Sequence, residues 1–168
     1  MHPRKSLLEI FSTFIEFEAD GFSGWFVDVK LRRSFEAHQA SLAKLDLSES
    51  VWSMYWYRLW QQEPDSIAFN HLSAYLQEVC YWSAQKTVRL LGHTSYCLSD
   101  CFQLASMGVI KVLEGYDPAR GASLKGYAGL IYSSFLRDTL RQRQEADICT
   151  IWTLLRRVGK QRLVESLR

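Results

Sequence analysis

Residues 100–115 read DCFQLASMGVIKVLEG, and this stretch decides the predicted fold of the chain. Its apolar side chains recur every three or four positions, which is the spacing of one face of an α-helix. Asp100 or Ser99 can cap the first turn, so a helix is predicted from this cap to Gly115. The side chains expected on its buried face include Phe102, Met107, Ile110 and Leu113.

The same apolar spacing continues on both sides of this stretch, so the chain is predicted to be all-α, with no pair of strands. Ser6 and Glu9 form a capping-box pattern before the first helix, and Gly92 follows the fourth. Further helices are predicted over residues 7–18, 29–43, a segment that begins at Ser48, 66–91, 124–143 with Ser123 as its cap, and a short one ending near Val158.

The third predicted helix carries Trp52, Trp56 and Trp60 at intervals of four, which places the three indoles on one stripe. A stripe that binds nucleic acid would normally be interleaved with Lys and Arg, and only Arg58 is present. The stripe is therefore interpreted as hydrophobic core.

The bulk composition is that of an ordinary globular protein: 168 residues, 48% hydrophobic and 23% charged. No stretch approaches the roughly 20 apolar residues of a membrane span, and the first residues do not form a signal-peptide pattern. A cytoplasmic location is therefore expected, with reduced cysteines, because Cys80, Cys97, Cys101 and Cys149 include no CxxC pair.

Charge is distributed unevenly along the chain. Residues 1–119 contain 10 Lys and Arg against 14 Asp and Glu, a balance of −4. Residues 120–168 contain 10 against 4, a balance of +6. This asymmetry predicts that the basic part contacts a polyanion, with nucleic acid as the first candidate.

Three motifs occur in order within about 30 residues: DCFQLASMGVIK at 100–111, YDPARG at 116–121 and SLKGYA at 123–128. Together they resemble region 2 of bacterial sigma-70 family factors, whose pattern is DLIQxGxxGLxK, then FDPxRG, then FxxYA. The resemblance implies a compact helical domain of the region 2 type with an N-terminal helical extension. The implied segments are an acidic, aromatic-rich extension at 1–63, the region 2-like domain at 64–146, and a short basic segment at 147–168. This last segment ends within a helical pattern, so a C-terminal part, including a helix-turn-helix domain, is expected to be missing.

In that family the first motif contacts the coiled coil of the RNA polymerase β′ subunit. The resemblance therefore assigns polymerase core binding to Asp100, Gln103 and Ser106. Here Leu104 stands where the family often has a carboxylate, and Ala105 and Val109 replace a glycine and a leucine. Asp100 also has a purely local interpretation as a helix N-cap.

In that family the third motif opens the helix that meets the promoter −10 element on the non-template strand. The resemblance implies that Tyr127 stacks on a flipped adenine; the alternative is a core tyrosine. Leu130 and Ile131 stand where housekeeping factors have a pair of tryptophans, which favours an alternative sigma factor with weaker melting. The expected DNA-binding residues are Lys125, Tyr127, Leu130, Ile131, Ser134, Arg137, Arg141 and Arg143.

The predicted function is thus an alternative sigma factor that binds the polymerase core and helps melt the −10 element, with an anti-sigma factor as a further candidate partner. The alternative is an adaptor that binds polymerase or an anti-sigma protein without opening DNA. No enzyme activity and no cofactor are expected, because no Ser-His-Asp or Cys-His arrangement is suggested. His93, Cys97 and Cys101 are spaced by four, but they lack the paired spacing of a zinc site, so no metal is expected.

Overall fold

A computed structural model describes residues 1–42, 48–91 and 96–143. The helices are α1 (Leu7–Ser12), α2 (Val29–Ser41), α3 (Glu49–Gln62), α4 (Ile67–Tyr75), α5 (Gln77–Leu91), α6 (Leu98–Met107), α7 (Val109–Gly115) and α8 (residues 124–143), with a 3-10 turn at Pro118–Arg120. The predicted mainly helical fold is confirmed. Among the described helices, none is long and apolar enough to cross a membrane.

The helix predicted over residues 7–18 is wrong in its second half. It ends at Ser12, and the chain continues as strand β1 (Thr13–Glu18), which pairs antiparallel with β2 (Gly21–Val27). The sequence of β1, TFIEFE, is rich in β-branched and aromatic residues, which favour strands. Ala19 and Asp20 connect the strands, and both have positive φ, 45° and 65°, as a two-residue hairpin turn of type I′ requires.

The helix predicted over residues 66–91 is divided at Leu76 into α4 and α5. The buried guanidinium of Arg4 lies beside this division. It donates to the carbonyl oxygens of Ala74 at 2.8 Å and Tyr75 at 3.3 Å, and it pairs with Glu78 at 3.0 Å. Arg4 therefore neutralises the negative end of α4 and joins the N-terminal segment to both helices.

One hydrophobic core runs through the described residues. The interpretation of the tryptophan stripe as core is confirmed, because Trp52 and Trp56 are buried and Trp60 packs against them. Residues before and after position 63 contribute to this same cluster, including Phe11, Phe35, Trp52, Trp56, Leu72, Ala84, Leu113, Leu124, Tyr132 and Leu136. The division of the chain into segments at 63 and 146 stays a prediction.

His71 is the buried polar centre of this core. One ring nitrogen lies 2.8 Å from the carbonyl oxygen of Phe11, and the other lies 3.1 Å from the Ser34 hydroxyl. The ring also stacks on Trp56, with 3.8 Å between centroids. Burial lowers the pKa of His71 to about 4, so the neutral imidazole joins α1, α2 and α4.

The short helix predicted to end near Val158 lies outside the described residues, as do Gly92, His93 and Cys149.

Candidate functional site

The first turn of α6 is held by the tip of the β1–β2 hairpin. The Asp20 carboxylate accepts hydrogen bonds from the amide groups of Leu98 at 3.0 Å and Ser99 at 2.7 Å. The Ser99 amide, with a smaller contribution from the Leu98 amide, holds the pKa of Asp20 below its ordinary value. The N-terminal amide groups of α6 are therefore satisfied by the Asp20 carboxylate, which lies outside the helix. The sequence predicts a local cap, Asp100 or Ser99, in this role.

Asp100 is not the N-cap of this helix. The helix begins at Leu98, which puts Asp100 in the third helical position, where its carboxylate accepts from the Cys97 amide at 3.3 Å. The side chain is exposed and remains available to a partner. Asp100 is therefore an acidic residue in the first turn of α6 and not the N-cap.

Asp100 and Gln103 are both exposed and begin a strip along the outside of α6 and α7. Met107 and Ile110 continue it, with 72% and 51% of their surfaces exposed, and Glu114 ends it. The expectation that Met107 and Ile110 are buried is therefore wrong. Positions 103 and 107 share one face of α6, and positions 110 and 114 share one face of α7, so helical phase outweighs the apolar character of the two side chains.

The other sequence-predicted members of this region point inward. The Ser106 hydroxyl donates to the Phe102 carbonyl at 2.9 Å and lies 3.5 Å from the Cys80 sulfur on α5, so it is turned away from the strip. Leu104 and Phe102 are buried as core residues. The docking strip is therefore defined as Asp100, Gln103, Met107, Ile110 and Glu114.

α6 and α7 meet at Gly108, and the helix predicted as continuous to Gly115 is divided there. A side-chain carbon at Gly108 would lie 3.0 Å from the Ala105 carbonyl and 3.2 Å from the Phe135 ring. The missing side chain thus lets α8 approach this point closely.

Local contacts hold the turn between α7 and α8. Asp117 accepts from the Ala119 amide at 3.0 Å, and Gly121 supplies a φ of 76°. Ser123 accepts from the Gly126 amide at 3.1 Å, which confirms it as the cap of α8. These contacts fix the direction in which α8 leaves the strip.

At the N-terminal end of α8, the two residues expected to contact DNA are engaged within the protein. Lys125 pairs with Glu49 of α3 at 2.6 Å, and its ammonium lies 4.7 Å from the Tyr75 ring. Tyr127 packs on Tyr116, with 5.7 Å between centroids, and its hydroxyl fills the space where Gly115 lacks a side chain. In this conformation Tyr127 packs against the core, as its alternative interpretation as a core tyrosine expects.

The C-terminal end of α8 is different, because its cations face solvent. Arg137, Arg141 and Arg143 are exposed, and Arg141 forms a surface pair with Asp138 at 3.7 Å. Between the two ends, Leu130 is 72% exposed, Ser134 is exposed and Ile131 is half-buried against the core. The helix thus presents an apolar side chain followed by a cationic face.

No group of three His, Cys, Asp or Glu side chains is arranged to hold a metal ion within residues 1–42, 48–91 and 96–143. Cys80 and Cys101 are buried thiols, and burial raises the pKa of Cys101 to about 11. Both thiols are protonated at neutral pH and behave as small apolar side chains.

Sequence reasoning missed two features of this region. The Asp20 contact joins residues 78 and 79 positions apart and has no local signal. Met107 and Ile110 could have been found from their helical phase with Gln103.

Comparison of the chain with protein-family models, with curated proteins and with solved structures found no match.

Proposed function

We propose that this protein acts as an alternative sigma factor of the sigma-70 type, which binds the RNA polymerase core and recognises the promoter −10 element. The observation that supports this most is the docking strip on α6 and α7, which one short turn joins to α8, a helix that carries exposed cations at its C-terminal end. The strip combines two carboxylates and an amide with two exposed apolar side chains. This mixture suits a protein partner, because an apolar centre with polar neighbours is the usual composition of an interface.

The proposed partner of the strip is the β′ coiled coil, which follows from the motif resemblance. Met107 and Ile110 add apolar area that would leave water on binding, and Asp100 and Gln103 supply directional contacts. The proposed partner of α8 is the non-template strand of the −10 element, held by Arg137, Arg141 and Arg143 through its phosphates.

The test is capture of purified polymerase core by the full chain. The double variant Asp100→Ala/Gln103→Ala should weaken capture about tenfold or more, because two polar contacts at the start of the strip are lost. The matched control is Glu63→Ala/Gln62→Ala, which likewise removes one carboxylate and one amide, from exposed positions at the C-terminal end of α3. Equal capture by both double variants would contradict the proposal.

A second candidate function is the adaptor that binds polymerase, or an anti-sigma protein, without opening DNA. It is favoured by the engagement of Lys125 with Glu49 and by the packing of Tyr127 on Tyr116. In this conformation the Tyr127 ring has to leave its packed position before it can stack on a base. An adaptor requires no such movement.

Addition of a fluorescent −10 non-template oligonucleotide to the chain–core complex separates the two functions. A sigma factor captures the oligonucleotide in the assembled complex, loses capture with Tyr127→Ala, and keeps it with Tyr127→Phe, which retains the ring. An adaptor binds core and captures no oligonucleotide. Circular dichroism of both variants checks that Tyr127→Ala still folds.

A further inference from the structure

A groove of about 290 Å³ lies between α5 and α8, away from the docking strip. Its walls include Lys86, Thr87 and Leu90 from α5 and Arg137, Leu140 and Arg141 from α8. Lys86 and Leu90 are exposed, and Leu90 has 75% of its surface in solvent. The groove therefore combines cations from two helices with an uncovered aliphatic side chain.

The close approach of the two helices produces this groove. A side-chain carbon at Gly129 of α8 would lie 3.6 Å from Val79 of α5, so the helices touch there. Lys86 and Arg137 are about two turns further along their helices, in the same direction. The groove is thus built from regular helical positions rather than from loops.

The electrostatics of the groove favour an anion. Three cationic side chains line it, and no carboxylate is among its described lining residues. Asp138 is not among these lining residues and forms an exposed pair with Arg141 at 3.7 Å. The C-terminal carbonyls of α5 contribute about half a negative charge, which the three cations outweigh.

We propose that this groove binds the phosphodiester backbone of one unpaired nucleic-acid strand, with Lys86 and Arg137 on its phosphates. The proposal deepens the proposed function and rests on it for the identity of the strand. A volume near the lower limit of small-ligand pockets, about 300 Å³, admits one nucleotide unit but not a duplex. The exposed Leu90 can make apolar contact with the face of a base or a sugar. In a duplex, pairing and stacking would hide that face.

The proposal makes α5 a second wall of the nucleic-acid surface, which the sequence motifs confine to α8. Lys86 lies well upstream of the three motifs and lines the groove, whereas Arg89, one turn further along α5, does not. Both side chains are exposed cations on the same helix, so Arg89 is a matched control for the removal of charge.

The test measures binding of a fluorescein-labelled single-stranded DNA of mixed sequence to the full chain by fluorescence anisotropy at several salt concentrations. Lys86→Gln should weaken binding about fivefold and reduce the slope of log affinity against log salt by about one, the effect of losing one phosphate contact. Arg89→Gln should change affinity less than about twofold. Unlabelled duplex of the same sequence should compete poorly with the labelled strand.

Equal effects of Lys86→Gln and Arg89→Gln would mean that net charge alone attracts the strand, and would overturn the proposal. Competition by a nucleoside monophosphate as strong as that of the strand would also overturn it, by assigning the groove to a free nucleotide. Strong competition by polyglutamate that Lys86→Gln abolishes would assign it to an acidic protein instead.

Failure of the groove and failure of the proposed function are distinguishable in these experiments. Core capture depends on Asp100 and Gln103 and involves no groove residue. A chain that captures core while Lys86→Gln and Arg89→Gln bind DNA equally retains the proposed function and loses the groove proposal. A chain that fails to capture core but loses DNA through Lys86→Gln alone retains the groove as a nucleic-acid site.

Discussion

Arg4 and Arg137 carry the same guanidinium in opposite surroundings. Arg4 is 8% exposed, donates to the carbonyls of Ile10 and Ala74, pairs with Glu78 and lies 4.4 Å from the Trp25 ring. Arg137 is exposed and lines an open groove. A cation therefore stabilises the fold when carbonyls and carboxylates surround it, and it is available to an external anion when they do not.

The largest expected effect is on Arg4. Arg4→Met should lower the free energy of unfolding by about 3 kcal/mol, because several buried carbonyls lose their donor and Glu78 loses its partner. The control is Arg32→Met, which breaks the exposed pair with Glu36 at 3.2 Å and should cost about 0.5 kcal/mol or less. Urea unfolding followed by circular dichroism measures both, and similar losses would remove the contrast between buried and exposed arginines.

The next effect is a loss of stability at acid pH that is caused by the buried His71. The pKa of His71 is about 4 in the folded protein and about 6.5 in the unfolded chain, so the unfolded state binds more protons between these values. The His71 contribution to stability is therefore complete above pH 6.5 and is lost as pH falls towards 4, by about 3 kcal/mol.

Urea midpoints at pH 7 and pH 4.5 check this for the wild type and for His71→Gln. The variant should be less stable at pH 7, yet it should lose less stability over the interval. A parallel decline in both proteins would show that other groups, such as the carboxylates, cause the acid sensitivity.

Substitutions at the exposed end of α8 should change stability little and DNA binding strongly, the reverse of what is expected for Arg4. Arg137→Gln/Arg141→Gln should leave the free energy of unfolding within about 0.5 kcal/mol of wild type. The same variant should weaken binding of single-stranded DNA about tenfold and make its salt dependence shallower. Anisotropy and urea unfolding on the same preparations measure the two quantities. A stability loss as large as that of Arg4→Met would place these arginines in the scaffold.

The smallest effect tests the intermediate case, Lys125. The Lys125 ammonium is partly covered and pairs with Glu49 at 2.6 Å, so it is neither buried like Arg4 nor exposed like Arg137. Glu49→Gln should release Lys125 and strengthen DNA binding about twofold, with a stability change below about 1 kcal/mol. Glu36→Gln, on the exposed pair with Arg32, is the control and should leave DNA binding unchanged. Weaker DNA binding in Glu49→Gln would mean that the pair positions Lys125 rather than occupying it.

The helix starts that the sequence predicted well are those with a local capping signal. Ser6, Ser48 and Ser123 cap α1, α3 and α8, because a hydroxyl that bonds to an amide three residues later needs only neighbouring residues. The strands were missed because residues 13–18 satisfy an apolar helical pattern as well as a strand pattern, and the choice depends on pairing with Gly21–Val27.

The sequence predicted which residues of the candidate site are exposed better than it predicted the contacts that these residues make. The motifs located Asp100, Gln103 and the arginines of α8 on exposed faces, whereas Ser106 turned inward and Tyr127 packed on Tyr116. The engagement of Lys125 by Glu49 joins positions 76 residues apart along the chain. Such contacts arise from the packing of helices, which residue spacing alone does not specify.

The contact between Asp20 and the start of α6 has a consequence for the timing of local opening. An isolated two-stranded hairpin is marginally stable in water, and here Phe17 and Phe22 rest on Tyr81 while Asp20 holds Leu98 and Ser99. The hairpin and the first turn of α6 thus open as one cooperative unit. The amide protons of Leu98 and Ser99 should exchange with solvent deuterium at the pace of the hairpin, although nearly eighty residues of chain separate them.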